Sequence, residues 1–213
     1  MTLDSLRPIL VMVTDPFVNV FNDHKVSPNT LSLLSLVFAL FAGISYYFSV
    51  TNIVILLAAL VFVLLNSFLD GIDGALARRM GCASKYGDFL DHVIDRYADV
   101  FIISGIFFGG YVSEGIGAIV IIGVLLASYL GTQAQAVGIG RVYGGLMGRA
   151  DRMVIIMLAT CIQIAYPLQI GAGGISYSAL GWALIVIGIA SHFTAIQRIW
   201  YTGRSLNESP KNK

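Results

Sequence analysis

Apolar and polar positions alternate along this chain in long blocks rather than short periods. Residues 26–69 carry no charged side chain, and neither do residues 153–197. Each run is too long for one membrane-crossing helix, which needs about 20 residues. The first breaks at "SVTN" (49–52) and the second at "YPLQIGAGGIS" (166–176). The pattern predicts six helical spans near 29–48, 52–80, 86–111, 116–137, 151–166 and 176–200. Ser27 and Pro28 stand where an N-cap and a first-turn proline belong. "GCAS" (81–84) makes a tight connection between spans 2 and 3. Residues 138–149 form a Gly-rich loop.

The N-terminal stretch has a different pattern. Leu6, Ile9, Leu10 and Val13 fall on one helical stripe, as do Phe17, Val20 and Phe21. Residues 1–26 therefore read as an amphipathic helix lying in the membrane interface. The stretch is broken by Pro8, Asp15 and Pro16, and no small-residue cleavage site follows, so it does not read as a signal peptide. The expected architecture is all-α and integral to the membrane. An interfacial helix (1–26) precedes a six-helix transmembrane domain (27–200) and a polar tail (201–213).

Composition agrees. The chain of 213 residues is 57% hydrophobic and 12% charged, with mean hydropathy +0.81. Soluble domains carry about 25% charged residues. The net charge of +1 offers nothing to a nucleic acid. Cys82 and Cys161 lie in different segments and read as free thiols. The thirteen basic residues all precede span 1, lie around the connections between spans 2 and 3 or 4 and 5, or follow span 6. The opposite connections have none. By the positive-inside rule both termini face the cytoplasm of a cell-membrane protein.

One segment departs from the apolar pattern. "LDGIDGALARRMGCASKYGDFLDHVIDRYAD" holds Asp70, Asp73, Asp88, Asp91, Asp95 and Asp99, half of the acidic residues. Asp70 and Asp73 share one face of span 2, and Asp91 and Asp95 share one face of span 3. The two helices run antiparallel around 81–84, so these four carboxylates meet at one depth near the cytoplasmic edge. Four such charges repel, and membrane burial penalises each. An all-oxygen set calls for hard divalent cations: Mg²⁺, Mn²⁺ or Ca²⁺. Four acids suit two ions clamping a diphosphate. Gly71, Gly74 and Gly87 leave room for a nucleotide. Asp88 lies off the shared face, and Asp99 is placed to pair with Arg96. His92 reads as a packing residue, and Cys82 carries no chemistry on position alone.

The spacing D70-x2-D73-G74-x2-A77-R78, eight residues, then G87-x3-D91-x3-D95 resembles the CDP-alcohol phosphotransferase (phosphatidyltransferase) signature at every defining position. "SPNTLSLLS" at the start of span 1 and the six-span layout are similar too. The resemblance implies transfer of a phosphatidyl-type or archaetidyl-type group from a CDP-linked lipid to an acceptor hydroxyl, with release of CMP. It implies that Asp70, Asp73 and Asp91 hold two Mg²⁺ ions, with Mn²⁺ as a substitute, and that Asp95 is the general base, touching one metal. Asp70, Gly74, Ala77, Arg78 and Gly87 would form the CDP site.

"GRADR" (148–152) resembles the basic start of span 5 in members whose acceptor is a polyol phosphate, notably inositol phosphate. Ser128, Arg149, Arg152 and Arg198 would then hold the acceptor phosphate, since guanidinium forks suit phosphate. Where that subgroup has basic residues just after the serine, this chain has Gly131, Gln133 and Gln135. Glycerol phosphate stays open as the acceptor. Gly-rich faces such as "ISGIFFGG" permit helix packing and a homodimer. Two competing readings of the acids are a divalent-cation transporter and an intramembrane aspartyl protease using Gly87–Asp88. Against the first, the acids lie near one membrane edge rather than the midplane. Against the second, a protease dyad needs two carboxylates sharing a proton, not four.

Overall fold

The computed structural model describes residues 7–172 and 174–208. Among them are seven helices: α1 (Arg7–Asp23), α2 (Pro28–Phe48), α3 (Ile53–Arg79), α4 (Lys85–Phe108), α5 (Glu114–Ala136), α6 (Arg149–Ala165) and α7 (Ala179–Glu208). A helix stands in each of the six predicted span positions. Four of them, α2, α3, α5 and α7, are long and apolar enough to cross a membrane. This is a multi-pass membrane protein. The charged first half of α4 and the 17-residue length of α6 keep those two out of the set by composition or length.

Local chemistry fixes the helix starts. Asn52, Ser84 and Ser113 each cap a helix with a side-chain oxygen, accepting from Val54 N, Gly87 N and Ile116 N. Ser27 holds the predicted cap position of α2, but its side chain makes no cap bond. Pro28 follows, and the Ser27 carbonyl accepts from Thr30 N instead.

Two features depart from the predicted pattern. The 166–178 connection is not plain loop: β1 (Ile170–Ala172) pairs antiparallel with β2 (Ile175–Tyr177). Trp182 Nε1 donates to Ile170 O and so ties this hairpin to α7. Helix α7 also continues past residue 200 to Glu208, into the segment read as a tail.

Packing divides into two groups. Helix α2 packs on α3 and α4, α7 packs on α5 and α6, and the α3–α6 and α4–α5 contacts join them. Glycine sets the closest crossing. A Cβ on Gly105 would lie 2.1 Å from Gly43 O, and one on Gly43 would lie 2.3 Å from Phe101 O. Gly109 likewise faces Tyr46 O across the same seam. The glycine face of "ISGIFFGG" is thus used to seat α4 on α2, not left free for a second chain. Polar clasps tie α2 to its other neighbours: Tyr46 Oη lies 2.7 Å from Thr160 Oγ1 of α6, and Asn66 Nδ2 of α3 donates to Ser35 O at 2.9 Å.

Much of the outer surface is apolar. On α2, Leu33, Leu34, Val37, Leu40, Phe41 and Ile44 are all exposed, a continuous face suited to lipid. Helix α1 lies against the end of α3 that carries the acids. Val18 is buried with Leu69, Ile72 and Leu76, Phe17 meets Phe68 edge-on, and Asp15 is 3.5 Å from Arg79. Among the described side chains of α1, Val18 is the buried one and Phe21 packs beside it, while Phe17 and Val20 stay exposed. Leu6, Lys211 and Lys213 fall outside the described residues, as do the side chains of Ile9 and Leu10.

Candidate active site

The acids arrive at one place because α3 and α4 run antiparallel around a short turn. Gly81, with φ +63°, supplies the left-handed conformation that ends α3. Ser84 then opens α4 four residues before Asp88. This brings carboxylate oxygens of Asp70, Asp73 and Asp91 within 4.8 Å of one another.

The four acids do not form a single knot. Asp91 also belongs to a second group with His92 and Asp95, again within 4.8 Å. The site is two overlapping triads sharing Asp91. Asp95 is drawn toward α6, with Arg149 Nη1 2.7 Å from its Oδ1 and Arg96 Nη2 3.3 Å from its Oδ2. The same Arg149 nitrogen donates to Asp70. His92, expected to point away, lies among charged groups, 3.5 Å from Asp88 and 3.8 Å from Asp91. The α4 helix turns its ring toward the loop that follows α5, which a pattern of spacing does not reveal.

A cavity of about 540 Å³ opens beside the first triad. Asp70, Asp73 and Asp91 line it, with Gly74, Ala77, Arg78 and Gly87. Every residue expected at the CDP site is therefore on its wall. Cys82 and Asp88 line it as well, and both cysteines are free. The cavity's glycines are not demanded by packing. A Cβ on Gly71 would meet nothing within 4 Å, and one on Gly87 would make only ordinary contacts. Their missing side chains leave space that the helices themselves do not need.

Ser32 of α2, not anticipated from the pattern, donates to Asp73 Oδ2 at 2.5 Å and orients that carboxylate. Asp70 Oδ1 is buried and has no hydrogen-bond partner among the described residues. A buried bare oxygen on a carboxylate grouped with two other acids fits a divalent cation.

Beyond the acids lies a set of arginines. Ser128 on α5 accepts from Arg96 Nη1. Arg152 is buried and donates to Asp99 Oδ2 at 2.6 Å. Asp99 thus pairs chiefly with Arg152 of α6, and its contact with Arg96 is longer at 3.7 Å. Arg198 donates to three carbonyls: Gly144 O at 2.9 Å, Tyr143 O at 3.3 Å and Ala127 O. Of the four residues expected around an acceptor, Arg149 reaches the carboxylates. Ser128 and Arg152 stand behind it, and Arg198 holds the Gly-rich loop.

A model of the CDP-alcohol phosphatidyltransferase family matches residues 25–196. The chain belongs to this family. It is a transferase of phospholipid biosynthesis that moves a substituted phosphate group. Similar proteins include the archaetidylinositol phosphate synthase of Pyrococcus horikoshii, 29% identical over 204 residues, covering 96% of this chain and 98% of that one. The phosphatidylinositol phosphate synthase of Streptomyces avermitilis is 31% identical over 203 residues, covering 91% and 79%. The phosphatidylinositol phosphate synthase of Mycobacterium tuberculosis, solved with CDP-DAG bound, shares the fold with TM-score 0.72 at 21% identity over 90% of this chain and 94% of that one. The same enzyme has been solved with manganese and citrate, with TM-score 0.73. For this CDP-alcohol phosphatidyltransferase, then, transfer replaces transport or proteolysis as the meaning of the acids.

Proposed function

We propose that this enzyme transfers a phosphatidyl-type or archaetidyl-type group from a CDP-linked lipid to a hydroxyl of inositol phosphate, releasing CMP at the cytoplasmic face of the cell membrane. The observation that carries the reading is one juxtaposition. The carboxylates of Asp70, Asp73 and Asp91 converge on a cavity floored by bare glycines, and Arg149 reaches them from α6. Acids at the cavity fit the diphosphate side of the reaction, and arginines beside them fit a phosphorylated acceptor. The names of the relatives from Pyrococcus and Streptomyces point to the same acceptor.

Asp70, Asp73 and Asp91 would hold Mg²⁺ or Mn²⁺, and the second triad through Asp91 and Asp95 gives room for two ions. Bound there, the cations would neutralise the diphosphate and stabilise CMP as it leaves. Gly74, Ala77, Arg78 and Gly87 would seat the cytidine diphosphate. Asp95 would take the proton of the attacking hydroxyl. Its contact with Arg149 supports a place on the acceptor side, where in-line attack would need the base. Ser128, Arg149, Arg152 and Arg198 would form the basic wall around the acceptor phosphate. Arg198 lies within electrostatic reach of Arg96, Arg141 and Arg152, and Arg96 and Arg152 already face the carboxylates of Asp95 and Asp99.

For the membrane layout, we infer six spans, with α4 and α6 crossing beside the four apolar helices. At about 1.5 Å per residue α4 is about 36 Å long and α6 about 25 Å. Helix α1, with Val11, Met12, Val13 and Val20 exposed, would lie in the interface.

The test is purified enzyme with a CDP-lipid, Mg²⁺ and a panel of acceptors: inositol phosphate, glycerol phosphate, free inositol and free glycerol. CMP release with inositol phosphate, and little with free inositol, supports the reading. A preference for glycerol phosphate would change the acceptor. Equal use of free and phosphorylated polyols would remove the phosphate site.

A further inference from the structure

The Gly-rich loop 137–148 between α5 and α6 has no assigned role, yet it is firmly built. Val142 N donates to Gly131 O on α5. Leu146 N donates to Gln197 Oε1 and Met147 N to Thr194 Oγ1, both on α7. Arg198 grips its Tyr143 and Gly144 carbonyls. Gly145 has φ +140°, and a Cβ there would lie 2.3 Å from Thr194 Cγ2, so only glycine lets the loop sit this close to α7. Gly131 serves the same end on α5, since a Cβ there would meet the Val142 carbonyl at 2.9 Å.

The one charged residue of this loop is Arg141. Its guanidinium faces His92, with Nη1 against Nε2 and Nη2 3.3 Å from Nδ1. The pairing is poorly matched. Arginine only donates, and a neutral imidazole has a single acceptor nitrogen. At most one of the two contacts is a true hydrogen bond. Arg141 therefore stands beside the Asp91–His92–Asp95 triad with donors that its partner does not satisfy. On its other side it lines a cavity of about 750 Å³ together with Arg198, Gln197, Tyr143 and Trp200. That space, between the loop and the end of α7, offers an anion two guanidinium groups.

We propose that Arg141 is a binding residue for the anionic acceptor, carried to the seam between the acids and the arginines by the anchored loop. This rests on the polyol phosphate reading above. His92 holds the guanidinium when no acceptor is bound. A phosphate, with oxygens that accept from both fork nitrogens, draws it away.

The experiment is steady-state CMP release with inositol phosphate and CDP-lipid varied in turn, for wild type, Arg141→Ala, Arg141→Lys, Arg149→Ala and Arg204→Ala. Arg141→Ala should raise the KM for inositol phosphate roughly tenfold to a hundredfold, the range for a lost charged hydrogen bond. The KM for CDP-lipid and kcat should stay within a few-fold of wild type. Arg141→Lys, which keeps the charge but loses the fork, should fall between. It also serves if the alanine variant does not fold, since a wild-type acceptor KM in the lysine variant would refute a role for the fork. Arg204, paired with Glu208 at the exposed end of α7, is the control and should match wild type. A fall in kcat with unchanged acceptor KM would make the loop a structural strap only and overturn the proposal. If Arg149→Ala raises the acceptor KM while Arg141→Ala does not, Arg141 alone loses its role. If wild type uses free inositol as well as inositol phosphate, the acceptor reading and this proposal fall together.

Discussion

Arg149 Nη1 lies 2.7 Å from Asp95 Oδ1, and the same nitrogen donates to Asp70, so one guanidinium joins α6 to both acid helices. A cation on those carboxylates and this guanidinium draw on the same two negative charges. Arg149→Ala should therefore bind Mn²⁺ more tightly than wild type, measured as free Mn²⁺ by electron paramagnetic resonance. At the same time the acceptor KM should rise roughly tenfold or more, as for other charged hydrogen bonds. Weaker Mn²⁺ binding in the variant would show that Arg149 orders the acids for metal instead of contesting them.

The glycines make a paired prediction. Gly105→Ala drives a methyl into the Gly43 backbone, which neither helix can yield. Overpacking costs about 1–3 kcal/mol in well-packed cores, and a backbone clash belongs at the upper end. Thermal unfolding in detergent should drop clearly. Gly71→Ala meets nothing within 4 Å and removes a glycine from the interior of α3, so its unfolding temperature should be no lower than wild type while the KM for CDP-lipid rises. An unchanged donor KM would mean that the donor does not use this space.

The acid motif was legible because helix periodicity alone brings residues 70, 73, 91 and 95 to one level. The six helices were legible because charge-free runs and their breaks mark them. What stayed hidden depends on how helices far apart in sequence face each other. The Arg149–Asp70 and Arg152–Asp99 pairs need the α6 packing, and the Arg141–His92 contact needs the path of a loop whose glycines adopt positive φ at 138, 140 and 145. The β1–β2 hairpin was hidden because "IGAGGISY" carries too few alternating side chains to mark strands. Ser32 was in view within "SPNTLSLLS", but its bond to Asp73 appears only when α2 is laid on α3.

Asp70→Asn and Asp91→Asn should each abolish CMP release at saturating Mg²⁺ while far-ultraviolet circular dichroism keeps its helical signal. Asp91 belongs to both triads, so its loss should also weaken Mn²⁺ binding more than the loss of Asp95. Residual turnover near wild type in either variant would refute the metal assignment.

Asp95→Asn separates base from ligand. Turnover should fall by at least about 10²-fold, the lower range for a positioned general base. CDP-lipid binding should weaken little, because Asp70, Asp73 and Asp91 are intact. Raising the pH should recover part of the rate by ionising the acceptor hydroxyl. Loss of CDP-lipid binding together with turnover would make Asp95 chiefly a metal ligand.

Asp99 and Arg152 form the most buried ion pair described, with side chains 1% and 4% exposed. Such a pair is held by geometry, and removing one partner leaves the other charge uncompensated, which costs about 3–5 kcal/mol. Asp99→Asn should therefore destabilise the enzyme strongly, read as a lowered unfolding temperature in detergent. Arg152 would then lose the carboxylate that anchors it. The acceptor KM of whatever enzyme folds should change more than the CDP-lipid KM. Asp99→Glu keeps the charge and should restore much of the stability, even though its longer side chain shifts the guanidinium. If Asp99→Asn unfolds at the wild-type temperature, the pair contributes nothing to the fold.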